Sequence, residues 1–178
     1  METYRLEVAG LSRDLPVCPV NENLSIAGFV MFGDVEMTIA CAEELLKKAP
    51  EFDLIITAES KGIPLAYEMS RQSGKKYILA RKSIKLYMQN PVSVSVKSIT
   101  TAHVQTLYLD SRDMEEIRGK RVLIVDDVIS TGESIHALEG LAEKSGGNVV
   151  GKFAVLAEGD AAERTDITYL GKLPLLFK

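Results

Sequence analysis

Residues 122–134, VLIVDDVISTGES, restrict what this 178-residue chain can be more than any other stretch. Val122, Leu123, Ile124 and Val125 leave no polar face, so they predict a strand buried on both sides, as in a parallel sheet. Asp126 and Asp127 fall where that strand ends, and ligands of open α/β sheets bind at such carboxyl ends. Ser130, Thr131 and Gly132 then make a short turn that opens into a helix. The turn offers backbone N–H groups, hydroxyls and a glycine for close approach, at the positive end of a helix dipole. That is the chemistry of an anion site. Two carboxylates beside an anion repel it unless they have other work, either holding vicinal hydroxyls or sharing a divalent cation with the ligand. The expected ligand carries a phosphate at one end and hydroxyls or metal close by.

The rest of the chain repeats the alternation of strand and helix. Residues 34–48 predict a helix capped by Asp34, with Val35, Ile39, Ala42 and Leu46 on one face and Pro50 beyond its end. Residues 52–58 (FDLIITA) predict a second buried strand, and 63–72 a helix that tolerates Pro64 in its first turn. Residues 76–80 (KYILA) and 105–110 (QTLYLD) are further strand candidates. The run 121–125 is the strongest of the strands. A helix over 133–144 follows, with Ile135, Leu138 and Leu141 inward; Gly146 and Gly147 end it, and 149–157 return as a strand. The expected fold class is α/β, a central, mostly parallel sheet flanked by helices, in a single domain over 1–178. Residues 83–103 are polar, rich in Ser and Thr and broken by Pro91, which reads as a mobile functional flap rather than the alternative hairpin.

Composition removes several classes. The formal charge of -4 supports no general affinity for nucleic acid or an anionic membrane. No apolar run reaches the roughly 18 residues a membrane helix needs, and the polar start lacks the apolar core of a signal peptide, so the cytoplasm is the expected location. Cys18 and Cys41 have no CxxC spacing and read as inert thiols. An apolar strand ending in acids also resembles the Walker B element of nucleotide hydrolases, but no GxxxxGK[ST] occurs. A receiver domain beginning at such a strand needs roughly 110 further residues, whereas 52 follow Asp126. An ordinary strand, turn and helix with solvated acids is the remaining plain reading.

Residues 122–134 resemble the phosphoribosyl-pyrophosphate (PRPP) motif of type I phosphoribosyltransferases: apolar strand, acidic pair, then a small-Thr-Gly-x-Ser/Thr loop. Glu59-Ser60-Lys61-Gly62, after FDLIITA, is similar to the pyrophosphate loop of the adenine-type branch. Arg81-Lys82, with Lys85-Leu86, is similar to that branch's basic segment before its flexible loop. The three motifs stand in the family's order, closest to adenine and xanthine phosphoribosyltransferases.

The resemblance implies roles. Ser130, Thr131, Gly132, Glu133 and Ser134 would hold the 5′-phosphate, and the catalytic pair Asp126 and Asp127 would face the ribose hydroxyls. Ser60, Lys61 and Gly62 would bind pyrophosphate, with Arg81, Lys82 and Lys85 adding positive charge. Mg²⁺ would arrive on PRPP, near Asp126 and Asp127. A purine nitrogen would displace pyrophosphate from C1 of the sugar, with 83–105 as the flexible catalytic loop shielding the reaction from water. Residues 1–33 and 159–178 would form a small hood over the base, with Phe29, Phe32 and Glu158 as base-binding candidates. The chain would act as a homodimer. Two departures bear on the base. Thr100-Thr101-Ala102-His103 stands where the adenine branch carries Glu-Tyr-Gly, and 20–34 lack its Pro-Gly-apolar-Phe stretch. His103 and His136 read as non-catalytic. The alternative is a regulator that keeps the fold and senses PRPP without turnover, although the roughly fifty residues before FDLIITA leave little room for a winged helix.

Overall fold

The strands that cannot face water set the architecture. Alternate side chains of a strand point to opposite faces, so Val122 and Ile124 enter one core while Leu123 and Val125 enter the other, all fully buried. In the computed structural model, which describes residues 2–97 and 104–178, β1 (Thr3–Val8), β2 (Leu11–Pro19) and β3 (Leu24–Ala27) come first. There follow α1 (Val35–Lys48), β4 (Leu54–Ala58), α2 (Ile63–Ser73), β5 (Lys76–Ala80), β6 (Val92–Lys97) and β7 (Val104–Leu109). The remainder is α3 (Ser111–Ile117), β8 (Arg121–Ile129), α4 (Glu133–Lys144), β9 (Asn148–Glu158), a 3-10 turn (Gly159–Glu163), β10 (Thr168–Leu173) and β11 (Leu175–Phe177).

The central sheet has five strands in the order β10-β9-β8-β4-β5, and every pairing is parallel. From β4 the chain moves outward through α2 to β5, while from β8 it moves the other way through α4 to β9 and β10. The strand order therefore reverses between β4 and β8, and a crevice opens beyond their carboxyl ends. A second sheet, β1-β2-β3-β11, joins strands from the two ends of the chain, in the ranges expected for the hood, and is termed the hood. The expected hood range 159–178 is corrected in part: 168–173 extend the central sheet as β10 instead.

Two expectations change with the packing. The buried face of α1 is Met37, Thr38, Cys41, Ala42 and Leu45; of the expected row Val35, Ile39, Ala42 and Leu46, only Ala42 lies on it and Leu46 is half-buried. Asp34 accepts from Met37 N at 3.1 Å and is held by Arg13 of β2 at 2.8 and 3.0 Å, which fixes the rotation of the helix and leaves Val35 and Ile39 exposed. The expected flap contains a hairpin, β6 antiparallel to β7, with Ser95 and Thr106 hydroxyls 2.7 Å apart. Val92, Val94 and Val96 alternate with polar residues at the period of a strand, and Val94 packs against α4, where a Cβ on Gly140 would meet it at 3.2 Å. Residues 98–103, including the stretch opposite the family's Glu-Tyr-Gly and His103, lie outside the described residues.

Candidate active site

β8 runs two residues beyond the acidic pair, to Ile129, so the acids lie within the strand rather than at its end. Asp127 is buried, with its Oδ2 lacking any hydrogen-bond partner among the described residues. Lys61 Nζ stands 3.6 Å from that oxygen, close enough for attraction but too far for a hydrogen bond. Asp126 Oδ1 accepts from the Asp127 backbone N–H at 2.8 Å. Burial and the neighbouring charge of Asp127 push the Asp126 carboxyl well above its ordinary value. A buried acid with an unanswered oxygen is costly to a fold and is expected where a ligand completes it.

Beyond the pair, Ser130 to Ser134 curl around a cavity of about 60 Å³ that also touches Asp126 and Ile135. Water occupies roughly 30 Å³ a molecule in the liquid, so this space suits one small oxyanion rather than a sugar. Gly132 makes the curl possible at φ 80, a left-handed conformation that side chains resist, and it caps α4 directly. Ser134 Oγ lies 3.0 Å from Gln105 Nε2, which ties the cradle to the β7 strand of the hairpin.

The second loop, 59–62, packs onto the first site. A Cβ on Gly62 would lie 2.6 Å from Thr57 Oγ1, 3.1 Å from Asp126 Oδ1 and 3.3 Å from Asp126 Cα. Only glycine lets the loop come so near the acidic pair, and this contact places Lys61 beside Asp127. The Glu59–Ser60 peptide is cis. Ser60 and Lys61 are exposed at the crevice, and Lys82 is exposed beyond it, while Lys85 donates to Ser83 Oγ at 2.8 Å. Arg81 is different from the free cation expected. Its Nε and Nη2 bind Glu59 at 3.1 and 3.3 Å and its Nη1 meets the Tyr87 hydroxyl, so it braces the loop from within the protein. Lys82 N also donates to Glu59, at 3.0 Å, and these partners hold the Glu59 carboxyl below its ordinary value.

A larger cavity of about 740 Å³ spreads from the cradle towards the hood and includes Ser130 to Glu133 together with Glu158. Burial raises the Glu158 carboxyl, with Lys61 opposing. Of the aromatic candidates, Phe29 is corrected: it is 5% exposed and belongs to the core. Phe32 is exposed and lines a separate cavity of about 540 Å³ with Ser60 and Tyr67. Sequence reasoning missed Leu24, Lys97, Asp160 and Leu175, and set His136 aside, yet all five line the larger cavity. Only Asp160, two residues after Glu158, carried a local signal. Leu24 and Leu175 meet through the pairing of β3 with β11, which no local pattern announces.

Residues 37–171 match the family model described as the phosphoribosyl transferase domain. The chain belongs to the phosphoribosyltransferase family. It is 32% identical over 126 residues to the purine biosynthesis transcriptional repressor of Bacillus subtilis (strain 168), covering 70% of this chain and 43% of that one. It is 35% identical over 135 residues to the adenine phosphoribosyltransferase of Bifidobacterium longum (strain DJO10A), covering 74% and 67%. It is also 34% identical over 112 residues to the hypoxanthine/guanine phosphoribosyltransferase of Methanococcus voltae, covering 63% and 56%. The chain thus spans less than half the length of the repressor and roughly two thirds or less of these two enzymes. Among solved structures, the adenine phosphoribosyltransferase of Thermoanaerobacter pseudethanolicus superposes with a TM-score of 0.72 at 23% identity, covering 89% of this chain and 95% of that one. That likeness is one of fold.

Proposed function

We propose that this chain is a purine phosphoribosyltransferase, moving the phosphoribosyl group of PRPP to a purine nitrogen and releasing pyrophosphate. The packing of Gly62 against Asp126 carries the proposal, because it sets the 59–62 loop and the 130–134 cradle on one crevice. A ligand with phosphate at one end, hydroxyls in the middle and a second polyanion beyond spans that crevice. The 740 Å³ cavity under the hood supplies room for the base.

The reaction forms a bond from the purine nitrogen to C1 of the ribose and breaks the bond from C1 to the pyrophosphate oxygen. The electron pair leaves with pyrophosphate, and the purine's N–H proton passes to the released pyrophosphate and solvent. Positive charge grows on the sugar, where the Asp126 and Asp127 pair favours it and anchors the ribose hydroxyls. Lys61 and Lys82 neutralise the departing group, and Lys85 reinforces them. The cradle's N–H groups and hydroxyls grip the 5′-phosphate, so the sugar turns about a fixed end. Glu158, half-buried with its carboxyl raised, is placed to hold a proton at the base.

Two carboxylates, with no cluster of three or more ligating side chains among the described residues, fit a cation that arrives on the substrate's own oxygens. Mg²⁺ held there by Asp126 and Asp127 would supply charge neutralisation for pyrophosphate. The proposal extends to a homodimer, for which exposed Phe32, Val35, Ile39 and Tyr67 around the 540 Å³ cavity offer an apolar face. It extends also to work in the cytoplasm, in purine salvage; no helix among the described residues is long and apolar enough to cross a membrane.

A second reading, a PRPP-sensing regulator without turnover, is favoured by the repressor among the relatives. Incubation with PRPP, Mg²⁺ and each common nucleobase separates the two. Pyrophosphate release with a purine supports the enzyme, while PRPP binding without release from any base favours the regulator.

A further inference from the structure

Arg164 follows the 3-10 turn after β9 and is locked in place. Its Nε and Nη2 bind both oxygens of Asp166, at 2.9 and 2.7 Å. Asp166 also accepts from Lys152 Nζ at 3.3 Å, and Lys152 pairs with Glu139 of α4 at 2.9 Å. The chain Glu139, Lys152, Asp166, Arg164 thus runs from the flank of α4 back to the start of the same helix. The remaining nitrogen, Nη1, has no hydrogen-bond partner among the described residues and lies against Gly132, so closely that a Cβ there would collide with it. Gly132 is the left-handed residue at the centre of the cradle. Arg164 is not among the cradle's lining residues, so the guanidinium stands behind the loop rather than inside it.

We infer that Arg164 is a positioning residue for the 5′-phosphate, bracing the 130–134 loop at Gly132 and fixing a positive charge behind the cradle. The inference rests on the phosphoribosyl reading of that loop. The cradle's grip depends on several N–H groups converging, which requires the left-handed conformation of Gly132, and a rigid planar group packed against it limits its movement. A fixed cation there adds to the field of the helix dipole. Arginine suits the task because its fork can satisfy Asp166 bidentately and still present a third nitrogen, whereas lysine has one. A plain structural ion pair would affect stability and all ligands alike, and the bracing role would not.

Calorimetric titration of ribose 5-phosphate and of pyrophosphate with Mg²⁺, each into the wild type, Arg164→Gln, Arg164→Lys and Asp166→Asn, tests this. Arg164→Gln is expected to weaken ribose 5-phosphate about tenfold, the scale of one lost charged interaction, with pyrophosphate affinity unchanged. Arg164→Lys recovers part of the loss. In turnover, KM for PRPP rises while kcat holds. If Arg164→Gln does not fold, Asp166→Asn carries the test, because it keeps the arginine but unlocks the fork, and the same selective loss is expected. Unchanged ribose 5-phosphate affinity in the folded variants, or an equal loss for both ligands, overturns the inference. A wild type that binds neither ligand overturns the phosphoribosyl reading itself, an outcome distinct from a wild type that binds both while the variants match it.

Discussion

Asp126 and Asp127 put two acids side by side in the second half of β8, directly after four buried apolar residues, an arrangement that is costly to a fold without a ligand to use it. The Asp126 carboxyl is held above its ordinary value of 3.8, so the folded state binds that proton more tightly than the unfolded chain does. Its stabilising contribution is therefore full below 3.8 and is lost as pH rises through the folded value. Asp126→Asn keeps the acceptor for Asp127 N–H and removes the charge. We expect this variant to melt higher than the wild type at pH 7, by about 2–4 °C per kcal/mol recovered, with the gap closing as pH falls below the ordinary value. Its turnover should drop by about 10²-fold or more. Thermal melts across pH, read beside pyrophosphate release, check both, and a lower melting temperature at pH 7 would contradict the reading of a strained pair. Gly62→Ala attacks the same spot sterically. Thr57 is β-branched and fully buried, so it has little room to yield, and about 1–3 kcal/mol of stability should be lost. Urea titration would show this as a lower midpoint at unchanged slope.

Local pattern at the scale of elements carried much of the fold. The ends of α1, α2 and α4 follow from caps, prolines and glycines and fall near where 34–48, 63–72 and 133–144 placed them, whereas β8 runs four residues past 121–125, through the acidic pair to Ile129. What pattern left open was rotation and partnership. The two possible stripes of α1 differ by less than a turn, and the choice between them was made by Arg13 on a strand of the hood, twenty-one residues away in sequence. Leu45→Ala, on the face that is fully buried, should cost about 2–5 kcal/mol, whereas Val35→Ser on the exposed stripe should stay within about 0.5 kcal/mol unless a second copy covers it. Chemical denaturation of the two variants side by side decides which face is inside. The helix α3, seven residues long, is too short to show a period and was not foreseen. β7 falls on the expected strand 105–110, but its pairing with β6 was weighed as a hairpin and set aside because the serines and threonines of 83–103 suggested a loop. The valines of β6 at every second position were the better signal.

Across the whole molecule, the two loops proposed for phosphate and pyrophosphate could be picked out in the sequence because each is one contiguous stretch after a buried strand. Their meeting at the β4 and β8 crevice follows from the reversal of strand order. The cavity proposed for the base could not be picked out in this way. Its walls come from β3, β6, α4, the turn after β9 and β11, brought together only by the closing of the hood. That is why the sequence offered Phe29, which is buried in the core, and did not single out Leu24, Lys97 and Leu175, which line the cavity. The same division predicts how variants at the two ends should behave. Leu175→Ala should raise KM for the base and leave that for PRPP near the wild-type value, and steady-state kinetics with each substrate varied in turn measures the split. The transfer itself is tested most directly by incubating the full chain with PRPP, Mg²⁺ and one purine at a time, then assaying the nucleoside 5′-monophosphate and pyrophosphate together. Equal amounts of both products from at least one purine are predicted, and their absence with every purine, in a protein that binds PRPP, would contradict the assignment of this crevice to phosphoribosyl transfer.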